Sequence, residues 1–329
     1  MDAGAARTAP RTRLARWASS AGQELVVLGS LVVLMILVGA VNSRYLSNDN
    51  LTSIFAGNAY IAVAAIGMSM VIISGNIDVS VGALIGVLGT VSGTLAVSGA
   101  PVALAWGAPL VLGPIVNAFV GFLVAYARIP SIVVTLGMLS ILRGGLISAT
   151  GGKWITGMPD DFRLAQEQLL GVPSPVYIAA VLTVLAALWM RYTAIGRSIY
   201  AVGGNAEAAR TAGIRTRAVV VFVFAVHGFF AGIAAVLFAT QLQVIQSTVP
   251  PNLELSVITA SVIGGVSILG GTGTVVGSTL AALLFSAIAS ALIFLDISAY
   301  WLRAVLGLLI LATVLADMAR RRRKGRLAP

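Results

Sequence analysis

The chain has 329 residues, of which 58% are hydrophobic and only 10% charged, and its mean hydropathy is +0.99. That balance excludes a soluble globular domain and places the protein in a bilayer. The absence of cysteine excludes disulfides and thiolate metal sites, the single His227 excludes a histidine-based metal cluster, and the formal charge of +10 gathers at the two termini and in one loop rather than on a nucleic-acid-binding face.

A helix of about 20 residues, rising 1.5 Å per residue, crosses the hydrocarbon of a bilayer. On that scale the sequence predicts an all-α, polytopic protein that is a single transmembrane domain of ten spans. In chain order these are Glu24–Val41, Ile54–Ser74, Val79–Val97, Val102–Tyr126, Ile132–Ala149, Pro175–Trp189, Ala218–Thr240, Glu254–Leu269, Thr274–Leu295 and Tyr300–Ala316. The sixth and eighth are short, and the third is rich in Gly and Ser. The first span has a basic flank, but no small-residue cleavage site follows it, so an uncleaved helix is favoured over a signal peptide.

Charge orients these spans. With both termini cytoplasmic, the inner segments hold Arg7, Arg11, Arg13 and Arg16 in the tail 1–23, Arg128, the five arginines 191, 197, 210, 215 and 217 of the loop 190–217, and six basic residues of the tail 317–329. Sixteen of the 21 basic residues then lie inside, and only Arg44, Lys153 and Arg163 outside. The positive-inside rule favours that orientation, which also requires an even number of crossings.

The loop from Gly196 to Arg217 interrupts sequence that is otherwise almost all membrane. Within it, alanines at 206, 208, 209 and 212 favour a short surface helix, opened by Asn205 as N-cap and closed by Gly213 in a left-handed position. Glu207 and Arg210, three apart, form an intrahelical pair worth only a few tenths of a kcal/mol. The chain has no GxxxxGK[ST] phosphate loop; its lysines are Lys153 and Lys324. Two stretches, Gly75–Gly82 and Gly270–Gly277, each place glycines seven apart where an inward span joins an outward one. They read either as an internal repeat with Gly-interrupted helix ends near a transport path or as two tight turns.

Ionisable residues at membrane depth are costly and mark function. Arg143 is placed one turn before the outer end of its span, to snorkel or pair. Arg303, beside Tyr300 and Trp301, reads as an interfacial anchor. His227 has no acid at i±3 or i±4 and reads as an interhelical hydrogen-bonding group. Asp78 falls at a cytoplasmic turn, where it can cap the third span through Ser80. Asn58, Asn117, Thr135, Gln241 and Gln243 lie in or beside uncharged spans, either lining a path for a neutral polyol or joining helices.

Five segments taken together resemble a known family: SGNIDVSVGALIG at 74–86, ARIPSIVVTLGMLSILRG at 127–144, GRSIYAVGGNAEAARTAGI at 196–214, LELSVITASVIGG at 253–265 and GGTGTVVGS at 270–278. They are similar to the permease subunits of carbohydrate ABC importers of the ribose, xylose and galactose group, and the resemblance runs from Leu46 to Asp317. Within that group GGKWITGMP at 151–159 looks most like the autoinducer-2 permeases, with rhamnose and ribose permeases next. The chain departs from the group's usual residues at Ala206, Thr272 and Ser261-Val262.

The resemblance implies a transport subunit of the cytoplasmic membrane rather than an enzyme, with no cofactor. It implies as partners a separate ABC ATPase, an extracytoplasmic substrate-binding protein, a second permease copy or related chain, and membrane lipid. It makes the loop helix the coupling element, with Gly203, Gly204, Asn205, Glu207, Ala208, Ala209, Arg210 and Gly213 toward the ATPase, and it brings Asn76, Asp78 and Ser80 close to the translocation path. Lys153, Trp154, Asp160 and Asp161 form a polar outer surface suited to a binding protein. The alternative reading, an ion-coupled secondary transporter, needs carboxylates near the midplane, whereas Glu24, Glu254 and Asp296 fall at span ends. An intramembrane enzyme lacks paired Asp, HExxH or a Ser-His pair.

The basic asymmetry makes a topology prediction. Because the chain has no native cysteine, a single cysteine replacing Asp160 should react with an impermeant thiol reagent in intact cells, and one replacing Asn205 should not. The opposite labelling would reverse the orientation.

Overall fold

A computed structural model describes residues 22–241, 244–245, 252–298 and 300–325; the predicted path residue Gln243, the arginines before residue 22 and Arg326 lie outside the described residues. The described helices are α1 (Gly22–Val41), α2 (Asn48–Gly57), α3 (Ala59–Ile73), α4 (Val81–Val97), α5 (Val102–Ala125), α6 (Ser131–Thr150), α7 (Ser174–Tyr192), α8 (Ala194–Gly204), α9 (Ala206–Thr211), α10 (Thr216–Gln241), α11 (Leu253–Ile263), α12 (Val275–Phe294) and α13 (Trp301–Gly325). Strands are confined, among the described residues, to a hairpin of β1 (Gln168–Leu169) with β2 (Val172–Pro173).

Seven helical stretches are long and apolar enough to cross a membrane, α2 and α3 counting together as one. The remaining predicted spans, the third, eighth and tenth, are shorter apolar helices. The eighth departs furthest from expectation. Its helix stops at Ile263 because Gly264 and Gly265 follow, the latter at φ +99°, and its 11 residues span about 16 Å, half of the hydrocarbon thickness. The second predicted span is broken at Asn58, which ends α2 and opens α3.

Helix α3 forms the centre. All of its residues but Tyr60 are buried, so it is apolar on every face, as a helix enclosed by other helices must be. It packs against α10, α11, α12 and α7. The most extensive contact joins α5 to α10, and small residues make it possible. A Cβ on Gly228 would strike the backbone carbonyl of Gly113, and one on Gly232 that of Pro109. Where hydrophobicity cannot drive helices together, such close backbone approach supplies the dispersion contact that does. Pro109 lacks an N–H for the carbonyl of Ala105, and Ser92 Oγ of α4 donates to that carbonyl at 2.8 Å instead.

The α5–α10 contact yields a paired prediction. Gly228→Ala, which must push two backbones apart, should lower stability by about 1–3 kcal/mol, the usual overpacking cost. Gly107→Ala, at an α5 position where a Cβ meets nothing within 4 Å, should be neutral or stabilising. Thermal unfolding in detergent would separate them, and equal midpoints would refute the close-packing argument.

Candidate functional site

The polar loop 196–217 folds into two short helices. Thr193 caps α8 by accepting from Gly196 N–H at 3.0 Å. Asn205 Oδ1 accepts from the N–H groups of Glu207 and Ala208, at 3.0 and 2.9 Å, and so opens α9. At the other end Gly213 takes φ +85°, and the N–H groups of Gly213 and Ile214 donate to the carbonyls of Arg210 and Ala209. Ala209 is buried while Glu207, Ala208 and Arg210 face outward; the Glu207–Arg210 pair, 3.9 Å apart, is largely exposed.

What holds this pair of helices to the membrane part is a junction of glycines. Gly203 and Gly204 at the end of α8 meet Gly75, just after α3, and Gly270 and Gly271, before α12. A Cβ on Gly203 would run into the Ile73 carbonyl, and one on Gly271 would stand 2.6 Å from Gly204 Cα. The N–H of Gly271 donates to the Ile73 carbonyl at 2.8 Å. The two stretches matched by their glycine spacing in the sequence thus meet in space at Gly75 and Gly270, with the end of α8 between them. Beside the junction a cleft of about 470 Å³ is lined by Ser74, Asn76, Gly204, Asn205 and Arg217, among others.

From Gly75 the chain runs inward to Asp78, which is wholly buried. One carboxylate oxygen accepts from the N–H and the hydroxyl of Ser80, at 2.8 and 2.6 Å. The other accepts from Asn117 Nδ2 of α5 at 3.2 Å and faces His227 Nε2 of α10 at 3.5 Å. Ser80, Asn117 and His227 are equally sealed from solvent, so one carboxylate joins the loop 74–80 to the two most closely packed helices. Asn117 Oδ1 and both ring nitrogens of His227 have no hydrogen-bond partner among the described residues. His227 has no acid on its own helix at i±3 or i±4, and the acid it faces comes from a loop 149 positions earlier in the chain.

The other predicted path residues divide by position. Thr135 is buried on α6, and its hydroxyl lies 3.4 Å from the Ile77 carbonyl of the same loop. Asn76 is half-buried and donates to Ser74 Oγ at 3.1 Å. Asn58 and Gln241 belong to the opposite end of the helices, where Gln241 Nε2 donates to the Gly57 carbonyl at 3.1 Å. That opposite end also carries the loop after α6. Ser131 Oγ accepts from Ile77 N–H at 3.2 Å, and the 20 residues of α6 then rise about 30 Å. There Lys153, Trp154, Asp160 and Asp161 are exposed, with Asp160 bonded to Arg163 at 2.6 Å. Paired backbone bonds between Ile155 and Ile245 tie that loop to the segment after α10.

One group escaped the sequence reading, and Arg143, expected to snorkel or pair, has a partner. Ser69, Ser261 and Ser278 form a buried hydroxyl cluster joining α3, α11 and α12, with Ser69 Oγ donating to Ser278 Oγ at 2.7 Å. Arg143 approaches Glu254 of α11 at 3.8 Å. Neither Glu254 nor Asp78 lies at the end of a full crossing. The break at Gly264–Gly265 shortens α11, and Glu254, expected at a span end, stands in the first turn of that short helix and is buried.

Comparison with known proteins agrees with this architecture. Residues 50–314 match the family described as branched-chain amino acid transport system / permease component. Over 296 residues the chain is 38% identical to the autoinducer 2 import system permease protein LsrC of Salmonella typhi, covering 90% of this chain and 85% of that one. The protein of the same name from Escherichia coli (strain K12 / DH10B) is 37% identical over 296 residues, with 90% and 86% covered. No solved structure matches the chain.

The buried cluster makes a quantitative prediction. Asp78→Ala should destabilise by about 1–3 kcal/mol, the cost of leaving buried hydrogen-bonding groups without their counterpart. The Asp78→Ala/His227→Ala double variant should cost less than the sum of the two single ones by at least about 0.5 kcal/mol. Unfolding in detergent reads both, and strict additivity would show that the two residues do not interact.

Proposed function

This chain belongs to the family of permease components of branched-chain amino acid transport systems, and on that footing we propose that it is the permease subunit of an ATP-binding-cassette importer carrying a small neutral sugar or sugar-like molecule. It is a multi-pass membrane protein and a transport subunit. The observation that carries the reading is the loop 196–217. A capped, outward-facing helix too polar for lipid, α9, directly follows the end of α8, whose Gly203 and Gly204 are in backbone contact with the end of α3 and the turn before α12. Such an element suits the transmission of force from a separate ATPase, and the sequence holds no phosphate loop of its own.

In this reading Gly203, Gly204, Asn205, Glu207, Ala208, Ala209, Arg210 and Gly213 form the ATPase-facing element. The loop 190–217 and the tails 1–23 and 317–329 are cytoplasmic, in keeping with the basic asymmetry. Lys153, Trp154, Asp160 and Asp161 face a substrate-binding protein on the other side. Asn76, Asp78, Ser80, Asn117 and Thr135 control the inner half of the path, and Asn58 and Gln241 its outer half. Two permeases, identical or related, enclose that path and alternate its access. For the cargo, the relatives' name points to autoinducer 2 and the resemblance of GGKWITGMP to the same subgroup; a five- or six-carbon sugar or furanosyl signal fits both.

An ion-coupled secondary transporter is the second reading, and the buried Asp78 is the observation in its favour. It leaves the glycine junction and the exposed α9 without a task.

Reconstitution with the cognate ATPase and binding protein tests both readings. ATP-dependent uptake should be competed by ribose, rhamnose or autoinducer 2 and be indifferent to leucine. Glu207→Lys should lower uptake severalfold while the subunit still inserts. Leucine transport would overturn the cargo class, and uptake driven by an ion gradient without the ATPase would favour the second reading.

A further inference from the structure

Arg143 is the one charged side chain of α6, and two independent helices place it at mid-depth. It stands twelve residues after Ser131, about 18 Å along the helix from the glycine-junction end. Its partner Glu254 is the second residue of the 11-residue α11, which ends in the turn that meets Gly203 and Gly75, so it lies about 15 Å from the same end. Both distances fall near the middle of a hydrocarbon layer about 30 Å thick.

The pair is lopsided. The Glu254 side chain is 9% exposed and that of Arg143 is 42% exposed. Glu254 Oε2 is buried against Gly82, where a Cβ would strike it, and has no hydrogen-bond partner among the described residues. The guanidinium therefore emerges from the surface of the chain at the depth where lipid is driest. An arginine turned toward lipid there is costly, and mid-depth is the worst place from which to snorkel. Beside it on α6 run Gly137, Ser140 and Gly144, all exposed, and a Cβ on either glycine would meet nothing within 4 Å. This is a shallow strip with one hydroxyl, Ser140, bordered by an ion pair and by the exposed apolar side chains of Val133, Leu136, Ile141 and Ile147 of the same helix.

We propose that the face of α6 and α11 around Arg143 lines the aqueous route of the importer, and that the Arg143 guanidinium, held by Glu254, donates hydrogen bonds to the hydroxyls of a polyol cargo. The proposal rests on the reading of the chain as a sugar-type permease. Its chemistry follows from the charge balance. Glu254 neutralises the arginine, so the site demands no anion from its ligand, and the planar fork of remaining N–H donors matches a pair of neighbouring hydroxyl oxygens. Glu254 is a positioning residue, since its carboxylate reaches the cargo only through the arginine.

The cysteine-free chain allows a direct test in the complete importer, in proteoliposomes. Ser140→Cys should react with a water-soluble, charged methanethiosulfonate at least tenfold faster than Val184→Cys, an exposed apolar position of α7, and the transported polyol should slow that reaction. Arg143→Gln should raise KM for uptake at least tenfold with the complex assembled at wild-type level, and Arg143→Lys should recover part of the loss. Ser140→Cys no more reactive than Val184→Cys would overturn the water-lined face, and an unchanged KM in Arg143→Gln would overturn the binding role. If Arg143→Gln does not assemble, Arg143→Lys and the labelling decide. A wild-type complex that takes up no polyol would overturn the functional reading and the cargo half of this proposal, whereas rapid labelling of Ser140→Cys would still uphold the polar face.

Discussion

A helix that breaks inside a membrane releases backbone groups into a medium with no water to receive them, and every break in this protein is arranged around that constraint. After Ile73 the chain leaves helical geometry, yet the carbonyl of Ile73 takes the N–H of Gly271, and Gly75 and Asn76 donate back to the carbonyls of Ile72 and Val71. After Ile263 the same solution recurs: Gly265 and Val266 donate to Val262 and Ser261, and Ser267 to Thr272. Proline in α5 is handled likewise, Ser92 filling the acceptor that Pro109 leaves open. The bond from Gly271 to the Ile73 carbonyl needs a second backbone within hydrogen-bonding reach, which explains why glycines crowd where the breaks face one another.

The same junction links the exposed helices to the membrane interior. Between Gly75, in contact with the end of α8, and Asp78, sealed among α4, α5 and α10, lie only Asn76 and Ile77. Three positions along the chain thus separate the contact point of α8 from a carboxylate that joins the tightest helix pair.

Two pairs of ionisable residues inside the helix bundle show how differently the fold treats such groups. Asp78 and His227 are both wholly enclosed, and Ser80 and Asn117 complete the carboxylate's bonding. Arg143 and Glu254 are only half enclosed, with the arginine left toward the outside of the chain. Burial of the first pair is affordable because four polar groups converge there. Exposure of the second is tolerable only beside water or another protein.

Much of this protein could be read from its residues alone. Apolar runs of membrane length located the crossings, because lipid admits no other spanning structure for such segments, and Asn205, the alanine run and Gly213 marked α9, since capping is a local property of backbone geometry. The glycine spacing at 75–82 and 270–277 signalled two related breaks. Contacts set by packing were not legible. That Gly75 and Gly270 meet over the end of α8, that Asp78 faces His227, that Arg143 pairs with Glu254, and that α11 stops halfway at Gly264 all join residues far apart in the chain. Sequence periodicity reports which side of a helix is apolar, but the partner of a buried charge is chosen by which helices come together, and in this protein small residues at Gly113, Gly228 and Gly203 decide that by letting backbones touch.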